Sequence, residues 1–140
     1  MCRKTLLADI QAVIEGGGYF KSSDNRPFSY QTDVRYRSLI SDKYDYAQFV
    51  LNTPCGTVQV NAKYQGVSGT TIEKLAYSVL DAERTEHQLY LVVCGGGELL
   101  RDRRAIQFLN QQAERAPKLK AMTVAEFHDL LDDLTSLKVA

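Results

Sequence analysis

Two short segments with alternating apolar residues, joined by a turn-forming tetrapeptide, constrain the fold of this chain more than any other feature. Apolar and polar residues alternate over 47–51 and again over 58–62. The residues between them include Thr-Pro-Cys-Gly at 53–56, with proline and glycine where a turn accepts them. Because a period of two is that of a β-strand with one buried face, the pattern predicts an antiparallel hairpin.

The turn also sets the register of this hairpin. With residues 53–56 as the turn, Phe49 faces Val60 and Gln48 faces Asn61. The apolar residues then share one face, and the opposite face collects Gln48, Gln59, Asn61 and Lys63, with Val50 as its one apolar member. The residues alone leave two interpretations open, a half-solvated polar face or a functional site.

The remaining segments predict helices and strands that add to this hairpin. Capping boxes are expected at Thr70 with Glu73 and at Thr123 with Glu126, each beginning a helix. The predicted order is α-β-β-β-α-β-α-β-α, a mixed sheet with flanking helices in one α/β domain over 1–140. Its predicted elements are a helix at 4–15, strands at 29–39, 47–51, 58–62, 89–93 and 119–122, and helices from 70, over 102–114 and from 123.

Composition constrains the cellular location of the protein more than its activity. The chain has 17 Lys plus Arg and 17 Asp plus Glu, so a basic surface for nucleic acid has to be local. Its 3 widely spaced cysteines suggest neither a disulfide framework nor a zinc site. No apolar run approaches the ~20 residues of a membrane helix. We therefore expect a cytoplasmic protein with no membrane partner.

Three segments carry a family resemblance. Residues 48–51 read QFVL, residues 60–65 read VNAKYQ and residues 68–74 read SGTTIEK. They resemble a branch of the PD-(D/E)XK nuclease superfamily, which reads acid-Phe-Val-Leu, then acid-X-Lys-aromatic-Gln, then Ser-Gly-Ser/Thr before a Glu-Lys helix. The resemblance implies a restriction-endonuclease-like core, α-β-β-β-α-β, here with an additional C-terminal helix, strand and helix.

The resemblance also implies a metal-dependent endonuclease and assigns roles to residues. Gln48 and Asn61 occupy the positions of the acids that bind Mg²⁺ (or Mn²⁺), which activates water and polarises the phosphate. Lys63 takes the place of the catalytic lysine, Gln65 that of a supporting polar group, and Glu15 that of a possible accessory acid. A solvated glutamate is the alternative for Glu15.

Both metal positions depart from the family by carrying amides. A neutral amide offers one carbonyl oxygen instead of a charged carboxylate, so we predict a weakened or absent metal site and an inactive protein. Both amides are explained if an active parent protein, with glutamate at 48 and aspartate at 61, was deliberately inactivated by these two substitutions. The alternative is a natural, non-catalytic module that binds nucleic acid or protein.

The expected partner is nucleic acid, with double-stranded DNA as the default substrate and RNA as the alternative. A homodimer would suit cleavage of both strands. Asp45 is expected off the Gln48 face by strand parity, and Gly95–Gly97 is expected to be a tight turn rather than a phosphate-binding loop. The candidate phosphate contacts, for which a solvated basic face is the alternative, are Arg35, Arg37, Lys43, Arg101, Arg103 and Arg104.

Overall fold

The computed structural model describes residues 2–67 and 71–137, which form an α/β fold. Apart from an added short strand and a division of the third predicted helix, the element order is the predicted one. In chain order the elements are α1 (Arg3–Gly16), β1 (Phe20–Lys21), β2 (Ser29–Arg37), β3 (Tyr44–Thr53), β4 (Gly56–Tyr64), α2 (Thr71–Glu83), β5 (Leu89–Gly95), α3 (Gly97–Leu100), a 3₁₀ turn (Arg101–Arg103), α4 (Arg104–Asn110), β6 (Leu119–Met122) and α5 (Val124–Thr135).

The strands form one mixed sheet in the order β1-β2-β3-β4-β5-β6. Strands β2, β3 and β4 pair antiparallel, whereas β4, β5 and β6 run parallel to one another. Strand β5 is apolar from Leu89 to Cys94 because helices cover both of its faces. The fold is therefore the restriction-endonuclease-like α/β fold that the resemblance implied.

A hydrophobic cluster covers each face of the sheet. On one face, α1 and α5 pack side chains such as Ile10, Ile14 and Phe127 onto Leu91. On the other face, α2 and α4 contribute Leu75, Val79, Ile106 and Leu109. We call these the α1 face and the α2 face. No helix of the described ranges is long and apolar enough to span a membrane.

The hairpin has the predicted register, since Phe49 pairs with Val60 and Leu51 with Val58. The capping box that starts α5 is also confirmed, with Thr123 and Glu126 each accepting the other's backbone N–H. Residues 68–70 lie outside the described residues. They include Thr70, whose hydroxyl was expected to form part of the capping box before α2.

The secondary structure differs from the prediction in two places. Phe20–Lys21 forms a short strand that was not among the predicted elements, because it pairs parallel to β2. The helix expected over 102–114 is interrupted, since Asp102 and Arg103 have φ of 52° and 55°. A positive φ does not fit a right-handed helix, so α4 begins only at Arg104.

Strands β2 and β3 continue as a two-stranded arm past the point where β3 stops pairing with β4, and the arm comprises residues 34–37 and 44–47. In the described structure, the β3–β4 ladder ends at Phe49 and Val60, whereas β2–β3 pairing continues to Arg37 and Tyr44. Asp33, just before the arm, has a φ of 52°. This kink is a local break in the regular pleat of β2.

Candidate active site

Gln48 and Asn61 are joined where β3 separates from β4. The Gln48 backbone N–H donates to Asn61 Oδ1 at 3.2 Å, and the Ala62 backbone N–H donates to Gln48 Oε1. The Gln48 side chain therefore lies between the two strands, where a regular ladder would continue. This placement differs from the expectation that Gln48 and Asn61 project side by side from one face.

Asn61 belongs to a buried hydrogen-bond network under α2. Its side chain is 9% exposed, and Nδ2 donates to the hydroxyl oxygen of Tyr90 at 3.1 Å. The Tyr90 hydroxyl in turn donates to Asp81 Oδ2 at 2.7 Å. The polar residues predicted on this side of the hairpin thus meet an acid from a helix instead of solvent.

Asp81 is the centre of this network. Its carboxylate is only 2% exposed and accepts hydroxyl groups from Tyr36 at 2.5 Å and Tyr90 at 2.7 Å. Arg84 Nη2 lies 2.7 Å from Asp81 Oδ1, which supplies the compensating charge that a buried carboxylate needs. Burial, followed by the negative charge and hydrogen bonding of Asp81, raises the pKa values of both tyrosines.

Asp81 was not predicted from the sequence. Ala76 and Leu80 of α2 are exposed, Leu80 by 46%, although apolar residues at helical spacing are typical of an inward stripe. Ser78 and Asp81 are buried instead. The available signal was their i, i+3 spacing, which puts two polar residues on one side of the helix.

Asp45 also reaches this network, contrary to the expectation from strand parity. Tyr77 donates its hydroxyl to Asp45 Oδ2 at 2.5 Å, and Arg84 Nη2 lies 3.8 Å from the same oxygen. The arm explains the error, because alternation counted along β3 fails across the kink opposite Gln48. Tyr36 and Asp45, paired on the arm, both turn towards α2.

Lys63 lies on β4 two residues after Asn61 and shares its side of the sheet. The side chain is partly buried, and within the described residues it has no hydrogen-bond or ion-pair partner. Burial lowers the pKa of Lys63, and the positive charges of Lys74 and Arg3 lower it further. A desolvated ammonium without a partner is suited to receive an anion.

Gln65 and Glu15 have local structural partners. Gln65 Nε2 donates to the Val67 carbonyl at 2.8 Å, and the backbone of Gln65 bonds to both ends of the turn after β5. Gly96 in that turn has φ +93°, and a Cβ there would collide with the Gln65 carbonyl. Glu15 accepts the Tyr30 hydroxyl at 2.6 Å.

The predicted phosphate contacts fall into two groups. In the first group, Arg101 and Arg104 lie 3.9 and 4.0 Å from Glu98, and Arg103 lies 3.1 Å from Glu126. These ion pairs reduce the positive potential of that surface. The second group, on or beside the arm, has no ion pair among the described residues and consists of Arg35, Arg37 and Lys43.

A basic cavity that the sequence analysis missed lies beside Gln48. It has a volume of about 430 Å³, and Arg3, Lys4 and Lys21 line it together with a single acid, Asp33. None of the three cations has an ion-pair partner in the described ranges. Sequence spacing could not predict this cavity, because Lys21 approaches the residues of α1 only in the folded chain.

The side chains as they stand do not fit a Mg²⁺ site. The carbonyl oxygens of Gln48 and Asn61 already accept backbone N–H groups. Among the described residues, no group of three or more His, Cys, Asp or Glu could hold a metal ion. Mg²⁺ prefers negatively charged oxygen ligands, and the Asp81 carboxylate, which Tyr90 links to Asn61, is engaged by Arg84 and two tyrosines.

Comparison with known proteins agrees with the fold. The family model of the PD-(D/E)XK nuclease superfamily domain matches residues 2–136, which is nearly the whole chain. No curated protein and no solved structure matches it. Members of this superfamily generally use divalent metals and act on nucleic acid. The extent of the family match and the mixed sheet lead to one conclusion, that the chain belongs to the PD-(D/E)XK nuclease superfamily.

Proposed function

We propose that this domain is a metal-dependent endonuclease for nucleic acid, with DNA before RNA, in a form that amides at two metal positions have inactivated. One observation carries the proposal. Gln48 and Asn61 meet where β3 separates from β4, and Lys63 follows on β4 with no ion-pair partner among the described residues. The family resemblance assigns these three positions to the two acids and the lysine of the catalytic motif.

The surrounding charge supports a nucleic-acid substrate. Arg3, Lys4 and Lys21, which have no ion-pair partner among the described residues, line the cavity beside Gln48, so a phosphate bound there would meet positive charge. A net charge of zero is compatible with this proposal, because acids elsewhere balance the local excess. A homodimer would place two such sites on the two strands of a DNA duplex.

A binding module without catalytic activity is the second candidate, and Asn61 favours it. The Tyr90 hydroxyl already donates its proton to Asp81, so its oxygen is free to accept the Asn61 amide. An aspartate at 61 has no proton to donate and would lie close to a second carboxylate. Gln48 differs, since a glutamate there could accept the Ala62 N–H equally well.

The test is reversal of the two amides. Gln48→Glu with Asn61→Asp should produce Mg²⁺- or Mn²⁺-dependent cleavage of plasmid, oligonucleotide or tRNA substrates, and the chain as given should cleave none of them. Each single reversal should give much less cleavage, because one carboxylate leaves the metal site incomplete. EDTA is the control for metal dependence.

Lys63→Ala, added to the double variant, separates metal binding from catalysis. It should abolish cleavage and leave metal binding in place, since Lys63 is expected to act on the phosphate and the water. A folded double variant that binds no divalent metal and cleaves no substrate would overturn the nuclease proposal and favour the binding module.

A further inference from the structure

The outward face of the arm alternates arginine and tyrosine. Arg35 pairs with Tyr46 and Arg37 pairs with Tyr44, and directly opposed residues of antiparallel strands share a face. The intervening pair, Tyr36 with Asp45, turns towards α2 instead. The four residues of the first two pairs therefore form one continuous surface.

This surface combines exposed aromatic rings with unpaired positive charge. Tyr44 and Tyr46 are 47% and 55% exposed, although large aromatic residues are normally more buried. The Arg35 guanidinium lies 4.4 Å from the centroid of the Tyr44 ring. The surface itself carries no carboxylate, and Arg35 and Arg37 have no ion-pair partner in the part of the chain that is described.

The base of the arm leads to the basic cavity. Asp33 and Gln48 both line that cavity. Asp33 lies two residues before Arg35 on β2, and Gln48 lies two residues after Tyr46 on β3. A chain bound at the cavity could thus continue along the outward face of the arm. Lys43, at the tip, extends the positive charge in the same direction.

We propose that the arm binds an unpaired segment of nucleic acid, with bases stacked on Tyr44 and Tyr46 and phosphates near Arg35 and Arg37. Stacking on a ring requires an exposed base face, which a single strand offers and a duplex hides. The proposal rests on the proposed function, because it specifies the substrate as DNA with a single-stranded part next to the cleavage site.

The experiment measures the affinity of the chain as given for a fluorescent single-stranded oligonucleotide and for the matching duplex at low salt. Tyr44→Thr with Tyr46→Thr removes both rings but keeps β-branched residues in the strands. We expect it to weaken single-strand binding at least about tenfold and duplex binding much less. Tyr44→Phe with Tyr46→Phe keeps the rings and should bind as the native chain does.

Leu39→Thr with Ile40→Thr is the matched control. These residues at the end of the arm are 46% and 54% exposed, so the variant loses similar apolar surface without losing a ring. Its affinity should stay native. Circular dichroism and thermal unfolding should show that each variant is folded.

Three results would overturn the proposal: native affinity in the Tyr→Thr variant, equal losses for single strand and duplex, or equal losses in the Leu39/Ile40 control. Absence of oligonucleotide binding by the native chain at low salt would overturn it as well. Failure of the proposed nuclease function is distinguishable, because it is measured as absence of cleavage by the Gln48→Glu, Asn61→Asp variant. Binding by the arm would remain.

Discussion

The two faces of the sheet are stabilised by different means. On the α1 face, Ile10, Ile14, Leu91 and Phe127 are all fully buried and apolar. On the α2 face, an apolar cluster adjoins a buried network centred on Asp81. Because side chains alternate along a strand, one set of β4 residues supplies apolar packing to the α1 face and the alternate set supplies polar contacts to the α2 face.

The comparison shows that the buried polar groups of this fold lie on the α2 face of the sheet. Apolar packing on the α1 face contributes to stability and requires no specific partner. The polar network requires each donor to have an acceptor, which limits the residues allowed at 59 and 61. The predictions that follow test whether the two faces respond as differently as their contacts suggest.

The largest effect should come from the α1 face. Phe127→Ala removes a fully buried ring from α5, and the resulting cavity should lower the free energy of unfolding by about 3–5 kcal/mol. Urea unfolding followed by circular dichroism measures this change.

Asp81→Ala should have the next largest effect. It leaves the Tyr36 and Tyr90 hydroxyls and Arg84 without their acceptor, which should destabilise the fold by about 3 kcal/mol. Glu83→Ala is the control on the same helix, because its exposed ion pair with Arg115 should contribute under about 1 kcal/mol. Equal effects of the two substitutions would contradict the central role of Asp81.

The network should also make stability depend on alkaline pH. The pKa of Tyr90 is raised in the folded chain, chiefly by burial and then by the charge of Asp81. Above pH 10 the unfolded tyrosine loses its proton while the folded one keeps it, so stability should fall by about 1 kcal/mol per pH unit. Tyr90→Phe should remove this part of the slope in urea titrations from pH 8 to pH 11.

The smallest effect should be a gain of stability. Lys63→Met removes a desolvated ammonium whose pKa is lowered by burial. The thermal midpoint at pH 7 should therefore rise by about 2–5 °C. Because the folded chain binds this proton less tightly than the unfolded chain, the gain should shrink as pH approaches 10.5. An unchanged midpoint would mean that Lys63 is well solvated.

The fold was largely predictable from local patterns. The hairpin register followed from a period of two, and the start of α5 followed from its capping box. Both signals lie within a few residues of the structure they specify. The break at Asp102 had no such signal, because a positive φ at aspartate and arginine depends on tertiary context.

The site was less predictable because it depends on residues brought together by folding. Alternation along β3 placed Asp45 on the wrong side, since the kink at Asp33 changes the direction of the arm. Asp81 lies outside the apolar stripe of its helix, and its spacing from Ser78 was the one local signal that it is buried. Asn61 was identified by the family motif, but its bond to Tyr90 links residues 29 positions apart.

The most direct test of the account is a calorimetric titration of Mn²⁺ into the chain as given and into the Gln48→Glu, Asn61→Asp variant. The account predicts no specific binding by the first, because both amide oxygens accept backbone N–H groups, and one specific site in the second. A Mn²⁺ site in the chain as given that is lost on Gln48→Ala would contradict it. So would a folded double variant that binds no Mn²⁺.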